Sequence, residues 1–305
     1  MAENRADTLV RMRYPELSRE DVKSLFENKK VLYDGRPVQK GNLLTDPSKL
    51  EVRDPPLPFK ILTNPDLPVQ LNSNSISWFA LEKPPAMHTH PLKRDETQTL
   101  ANYAVSLYPE CQSVGGYREG GACHRLDYET SGLILFAKTE NTYKLLRAQF
   151  SQKTTLSKYY LAQVEGEFQQ DEKIDLFHEL DTSHPKVTLY DSRRSKSTPT
   201  PAHLQLKAIC TNPQITLLLI KLLTGVRHQI RFQLSHLGHP IQGDTLYGGS
   251  PLANPTSGIC LHHVTFQFLC PDTQELKSLT TPLPTRFQLG DSSLESRVKN
   301  LIISW

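Results

Sequence analysis

The apolar positions change period along the chain, and each change marks an element. Leu133-Ile134-Leu135-Phe136-Ala137 is apolar without a break, which predicts a short strand buried on both faces. Alternation takes over in 158–166, where Tyr160, Ala162 and Val164 share one face of a predicted strand. Residues 202–210 and 214–223 read as two further strands joined at Thr211-Asn212-Pro213 in a hairpin. The stretches 77–83 and 260–268 complete the predicted strands, the first ending at Pro84-Pro85. Helical spacing predicts helices over 97–108, 141–150 and 224–237, the last with Ile230, Leu234 and Leu237 as its stripe and Gly238 as its stop. A final helix is expected from Ser292-Ser293-Leu294-Glu295, a capping-box pattern. Residues 167–200 are polar and predicted irregular, with the basic run 192–197 as a solvated loop.

The N-terminal part follows a different plan. Ser18 is the expected N-cap of a helix whose apolar face is Val22, Leu25 and Phe26. Val31 to Val38 then reads as two short strands around Asp34-Gly35, closed by a strand at 49–52. Prolines crowd the next stretch (Pro55, Pro56, Pro58, Pro65, Pro68) and mark a linker. The expected division is a small module over 1–55, a linker over 56–75 and a main domain over 76–305.

A net charge of +3 permits a nucleic-acid partner without requiring one, so the distribution of charge decides. Arg19, Lys23, Lys29 and Lys30 cluster in the N-terminal module. Together with the order of elements, a helix opening on Leu17-Ser18-Arg19 and then strands around a glycine, this resembles an S4-type RNA-binding module. No apolar run nears the ~20 residues that cross a bilayer. The opening MAENRADTLV has no signal-peptide core. Five scattered cysteines without a C-x-x-C spacing argue against a disulfide framework and for a reducing, cytoplasmic setting. His88 and His90 lack a third ligand at a useful spacing, so no metal is expected.

One stretch concentrates chemistry: His124-Arg125-Leu126-Asp127, set between glycines (Gly115, Gly116, Gly120, Gly121) and the buried strand. A carboxylate beside a rigid strand and a pliable loop is a candidate nucleophile or acid/base. It is equally the pattern of an ordinary loop ion pair. Four further blocks change the balance. They are Glu82-Lys83-Pro84 with His90-Pro91; Lys158-x-Tyr160-x-Ala162-x-Val164-x-Gly166; Thr224-Gly225 with His228-Gln229-Ile230-Arg231; and Gly238-His239-Pro240-Ile241 with Gly243-Asp244 and Leu246-Tyr247-Gly248. In this order they resemble the RluA-type pseudouridine synthase family over about residues 76–270.

That resemblance implies an α+β fold: a mixed, mainly antiparallel sheet in the catalytic domain, with the S4-like α/β module appended. It implies an isomerase that flips a uridine out of ribosomal or transfer RNA, breaks the bond to N1 and rejoins the sugar through C5, with no cofactor. Asp127 is then the essential carboxylate, and Arg231 is the cation beside it. Tyr160 lies against the uracil and shares in proton transfer at C5. Leu246 or a neighbour supplies an apolar wall, and Arg125 holds the flipped geometry. His124, His228 and Gln229 fall in matching blocks as substrate-binding residues. The partner is RNA, no membrane is involved, and the chain is expected to act as a monomer. One departure stands out: the family's Gly-Arg-Thr before His-Gln is Gly225-Val226-Arg227 here. A catalytically silent RNA-binding or assembly factor on the same fold is the alternative, expected where Asp127, Tyr160 or Arg231 is lost. A carboxylate hydrolase would need a second carboxylate with its own role.

Overall fold

The computed structural model describes residues 4–17, 19–152, 156–168, 174–194, 198–254, 257–287 and 294–303. The Ser18 cap, the end of the 192–197 run and the capping pattern at Ser292-Ser293 lie outside them.

The N-terminal unit comprises β1 (Asn4–Arg5), α1 (Ala6–Arg13), α2 (Arg19–Glu27), β2 (Val31–Tyr33), β3 (Arg36–Pro37), β4 (Leu43–Leu44) and β5 (Leu50–Val52). Strands β3-β2-β5 form an antiparallel sheet. Asp34 and Gly35 both take positive φ, the geometry a tight two-residue hairpin demands. Leu9, Val10, Val22, Leu25, Val31 and Leu50 bury against one another as a core of its own. The apolar pattern does not announce helix α1: it is two turns long and Arg5 gives it no side-chain cap.

The larger unit carries β6 (Gln70–Asn74), β7 (Trp78–Lys83), α3 (Leu100–Leu107), β8 (Ser131–Ala137), α4 (Glu140–Gln152), β9 (Ser157–Glu165), β10 (Ile174–Asp181), β11 (Thr188–Leu189), β12 (Thr200–Thr211), β13 (Ile215–Leu222), α5 (Gln229–His236), β14 (Leu261–Leu269), β15 (Leu276–Thr280) and α6 (Leu294–Ile303). One ten-stranded sheet runs β11-β10-β12-β13-β9-β14-β8-β7-β6, with β15 paired to the far half of β14. Among the described residues all strand pairs in it are antiparallel except β14 with β8. At that parallel contact Gly132 has φ 120°, and a Cβ there would meet the His263 carbonyl at 2.4 Å, so only glycine lets the strands approach.

Both faces of the central strands are covered, which is why β8 reads as a continuous apolar run. Phe79, Leu81, Ile134 and Phe136 pack on one side with α3 (Leu100, Ala104) and α6 (Leu294, Val298, Ile302). Trp78, Ala80, Leu133 and Leu135 pack on the other with Leu146 of α4.

Three expectations need correction. The proline-rich segment is structural rather than a linker: Phe59, Ile61, Leu67 and Val69 are buried in the main core, and β6 pairs with β7. The polar stretch after Gly166 contains β10, whose half-exposed alternation hides it among polar residues. Helix α5 begins at Gln229 rather than Thr224 because His228 is left-handed (φ 54°), and Leu237 lies past its end, partly exposed. The two units meet at an ion pair between Arg94 and Asp21 (2.7 Å), and Arg94 also donates to the Leu57 carbonyl (2.8 Å).

Candidate active site

The segment before β8 is fastened at every second or third residue. Cys123 N–H donates to the Leu135 carbonyl (2.8 Å), and Leu135 N–H donates to His124 Nε2 (3.2 Å). The His124 ring stacks on Phe266 at 5.3 Å, 4° from parallel. Burial holds it well below the usual imidazole range, so it is neutral and serves as an anchor for the loop. Thr89 Oγ1 both accepts from Leu126 N–H and donates to the Leu126 carbonyl (3.3 Å each). Arg125, between these anchors, is exposed and makes no hydrogen bond or ion pair with the described residues. Thr130 N–H closes a turn on the Asp127 carbonyl (3.2 Å).

Beneath this turn lies Lys83, which belongs to a motif block but has no role that its spacing would assign. Its ammonium is fully buried and donates to the carbonyls of Pro84, Met87 and Tyr128 (2.9, 2.8 and 3.2 Å). Burial pulls its pKa down to about 7, against the opposing pull of the Asp127 charge.

Asp127 reaches a cleft of about 750 Å³ that is bounded by its own loop, α4, β9 and the turn leading into α5. Arg231 Nη1 stands 4.0 Å from Asp127 Oδ2, and His228 Nε2 stands 4.0 Å from Oδ1. Neither distance is a hydrogen bond. The tight partner of Arg231 is Asp244, which takes Nε and Nη2 at 2.7 Å each in a fork-to-fork pair, both side chains buried. Glu129 adds a contact at 2.9 Å. Burial alone would lower the basicity of Arg231, but these carboxylates raise it.

Tyr247 sets the other wall. Its hydroxyl accepts from Val187 N–H (2.9 Å) and lies 3.0 Å from His228 Nδ1, and its ring sits 5.4 Å from the Arg231 guanidinium carbon. With the hydroxyl proton directed at Nδ1, the imidazole proton is on Nε2, the nitrogen that faces Asp127. Burial lowers the His228 pKa, which favours this neutral form. Tyr160 is buried in β9, stacked on His263 (4.5 Å, 16°), and its hydroxyl has no hydrogen-bond partner among the described residues. Burial, aided by the Asp127 charge, raises its pKa, so it remains a phenol.

The sequence-derived set therefore divides. Asp127, Arg231, Tyr160, His228, Arg125, His124 and Gln229 all line the cleft. Gln229 is buried there as a brace, its Oε1 accepting from Thr224 Oγ1 (2.8 Å) and Val226 N–H (3.2 Å). Leu246 does not line it: it is 42% exposed in a turn, and Ile230, Leu222 and Leu261 form the apolar wall instead. The displaced Arg227 also lines the cleft and donates to the carbonyls of Thr182 and His184. His90 pairs with Glu119 (3.3 Å), and burial holds it near a pKa of about 4. Asp244 and Tyr247 escape sequence reasoning as site residues, although both stand in the last motif block.

On the N-terminal unit Arg19, Lys23, Lys29 and Lys30 stay outside the cleft. Lys23 pairs with Glu27 (3.4 Å) and Lys30 with Asp54 (3.6 Å), so acids dilute that basic face.

Comparison with known proteins agrees with the motif order. The family model described as RNA pseudouridylate synthase matches residues 77–236. An RNA pseudouridine synthase of Chloroflexus aurantiacus, labelled uncharacterized, is 32% identical over 301 residues, 96% of this chain and 90% of its own. Ribosomal large subunit pseudouridine synthase D of Zymomonas mobilis is 29% identical over 85% of this chain and 79% of its own. The solved structure titled Human RNA Pseudouridylate Synthase Domain Containing 1 superposes with a TM-score of 0.56 at 21% identity, covering 77% of this chain and 94% of that one, a likeness of fold.

Proposed function

We propose a division of labour in the cleft from one premise: the chain belongs to the RNA pseudouridylate synthase family and is an isomerase that converts uridine in RNA to pseudouridine. In the net reaction the C1′–N1 bond breaks, a C1′–C5 bond forms, C5 gives up its proton and N1 gains one. Asp127 acts on a flipped-out uridine. Its carboxylate adds to the nucleotide as nucleophile, or draws a proton from the sugar to give a glycal. Both routes need one carboxylate held beside hydrogen-bond donors, at least one of them charged, in a pocket shielded from water. Arg231 and His228 sit 4.0 Å from its two oxygens, and this convergence on Asp127 is the observation that carries the proposal. Tyr160 presents a protonated phenol to the base, while Leu222, Ile230 and Leu261 flank it.

RNA labelled with tritium at C5 of uridine tests the assignment. The protein is expected to release the label, and Asp127→Asn is expected to lose release by on the order of 10,000-fold while still binding RNA. Full activity in Asp127→Asn would remove Asp127 from the chemistry.

The substrate proposed is large-subunit ribosomal RNA, the substrate printed in the name of the Zymomonas mobilis relative. The N-terminal unit is proposed as an S4-like RNA contact through Arg19, Lys23, Lys29 and Lys30. Replacing the four by glutamine should flatten the salt dependence of RNA binding, by about 0.7–0.9 in log–log slope for each phosphate no longer neutralised. An unchanged slope would rule the module out as a phosphate-binding surface. The same four replacements should leave the rate of label release at saturating RNA unaltered.

A further inference from the structure

The cleft extends well past Asp127, and its second arm has a composition of its own. Tyr143, Arg147 and Phe150 lie at i, i+4 and i+7 along one face of α4, and all three line it. That face spans roughly 10 Å at 1.5 Å per residue, about three of the 3.4 Å steps between stacked nucleotides. The Phe150 ring tilts against His124 and Phe266 (centroids 5.3 and 5.8 Å apart), and two cations approach it, the Arg147 guanidinium carbon at 5.7 Å and the Lys158 ammonium at 5.8 Å from its centroid. Arg147 is fixed in place by donating one Nη1 hydrogen bond to the Cys123 carbonyl (2.9 Å). Lys158 reaches across toward the turn before α5, where a side chain on Gly225 would meet its ammonium at 3.4 Å. Arg125 hangs over the same arm. Glu119 is the acid of this arm, and burial raises its carboxyl pKa against the pull of Arg147 and Arg125.

An aromatic ring with cations beside it suits one kind of occupant. A base has a π-face to lay on the ring, and its phosphate meets the cations; neither interaction depends on sequence. We infer that the arm under α4 is a second nucleotide subsite, which stacks the base next to the flipped uridine on Phe150 and holds the phosphate between them with Arg147 and Lys158. The inference rests on the Asp127 end of the cleft being the place of reaction. It makes the substrate a single-stranded or opened segment at least two nucleotides long at the site, and it explains how the backbone is held while the target base leaves its stack.

Binding of a short, fluorescently labelled, single-stranded oligouridylate to the full-length protein, followed by anisotropy over a series of salt concentrations, tests this. Lys158→Gln should lower the log–log salt slope by about 0.7, the share of one neutralised single-strand phosphate. Phe150→Leu should weaken binding about tenfold with the slope unchanged, the loss of one stacked base, and Phe150→Tyr should bind like the parent. An unchanged slope in Lys158→Gln overturns the subsite, as does parent-like binding by Phe150→Leu. Equal weakening in the Leu and Tyr variants also overturns it, because the ring would then be only a packing element. Tritium release by Asp127→Asn reads the other half separately: an active Asp127→Asn sinks the assignment of Asp127 and leaves these binding results standing.

Discussion

Arg231 treats two of its neighbouring carboxylates in opposite ways: it grips Asp244 twice at 2.7 Å in a dry interior, yet stops 4.0 Å short of Asp127 at the cleft. The inner pair satisfies Nε and one Nη2 hydrogen, locks the side chain and offsets the cost of burying a charge. Nη1 is thereby aimed at Asp127 without being consumed by it. The same residue type does opposite work at the two ends. Asp244 is positional, and its oxygens are occupied; Asp127 is 24% exposed, with its oxygens approached but not hydrogen-bonded by the Arg231 guanidinium and the His228 imidazole. The role proposed for Asp127 suits a carboxylate left unsaturated, with the cation beside it held from behind.

The sharpest way to break this contrast is to remove each carboxylate in turn. Asp127→Asn should abolish label release yet leave the unfolding free energy from urea melts within about 0.5 kcal/mol of the parent, because the side chain makes no close bond that holds the fold. Asp244→Ala strands a buried guanidinium and should cost about 3 kcal/mol in the same unfolding measurement, at the low end of broken buried pairs because Glu129 remains at 2.9 Å. Loss of stability in the first variant, or none in the second, would reverse the roles.

Lys83 gives a subtler test. With its pKa at about 7 when folded and near the ordinary 10.5 when unfolded, the folded protein has shed a proton between those values that the unfolded chain keeps. Stability contributed at this site therefore rises with pH across that window and is lowest below it. Lys83→Met should abolish that rise in urea melts, though it also removes three donors to the turn behind Asp127. A slope unchanged by the substitution would place the titrating group elsewhere. The smallest effect is expected at Leu246: its exposed side chain should tolerate alanine with label release within about threefold, since surface changes stay near 0.5 kcal/mol.

Legibility from sequence follows how local each signal is. Strands β7, β8, β9 and β14 announce themselves because both their faces are covered or cleanly alternate. Asp127 is legible as a cleft residue because loop, carboxylate and strand are adjacent in the chain. Asp244 is not: its meaning lies in a partner 13 residues away, on a helix whose start the spacing misplaces. That misplacement has a physical cause, since the apolar spacing of 224–237 says nothing of His228 turning left-handed or of the Gln229 side chain bracing Thr224 and Val226. Proline density around Pro55–Pro68 suggests a tether, yet four apolar side chains in that segment bury themselves, and burial outweighs the composition. The fork of Tyr247 between His228 and Val187 depends on three separate loops meeting and leaves no trace in spacing.

The position of β14 in the sheet has a consequence for how the enzyme comes into being. Strands β6, β7 and β8 make one half of the sheet from residues 70–137, and β9, β13, β12, β10 and β11 make the other from residues 157–222. The strand that joins them is drawn from residues 261–269, so the two halves wait for a segment that follows both in the chain. Asp127 belongs to the first half, while Tyr160 and Arg231 come after it in the chain. Until β14 is in place the chain holds the two walls of the cleft without the strand that joins them, so the site assembles only as a late, long-range event of folding.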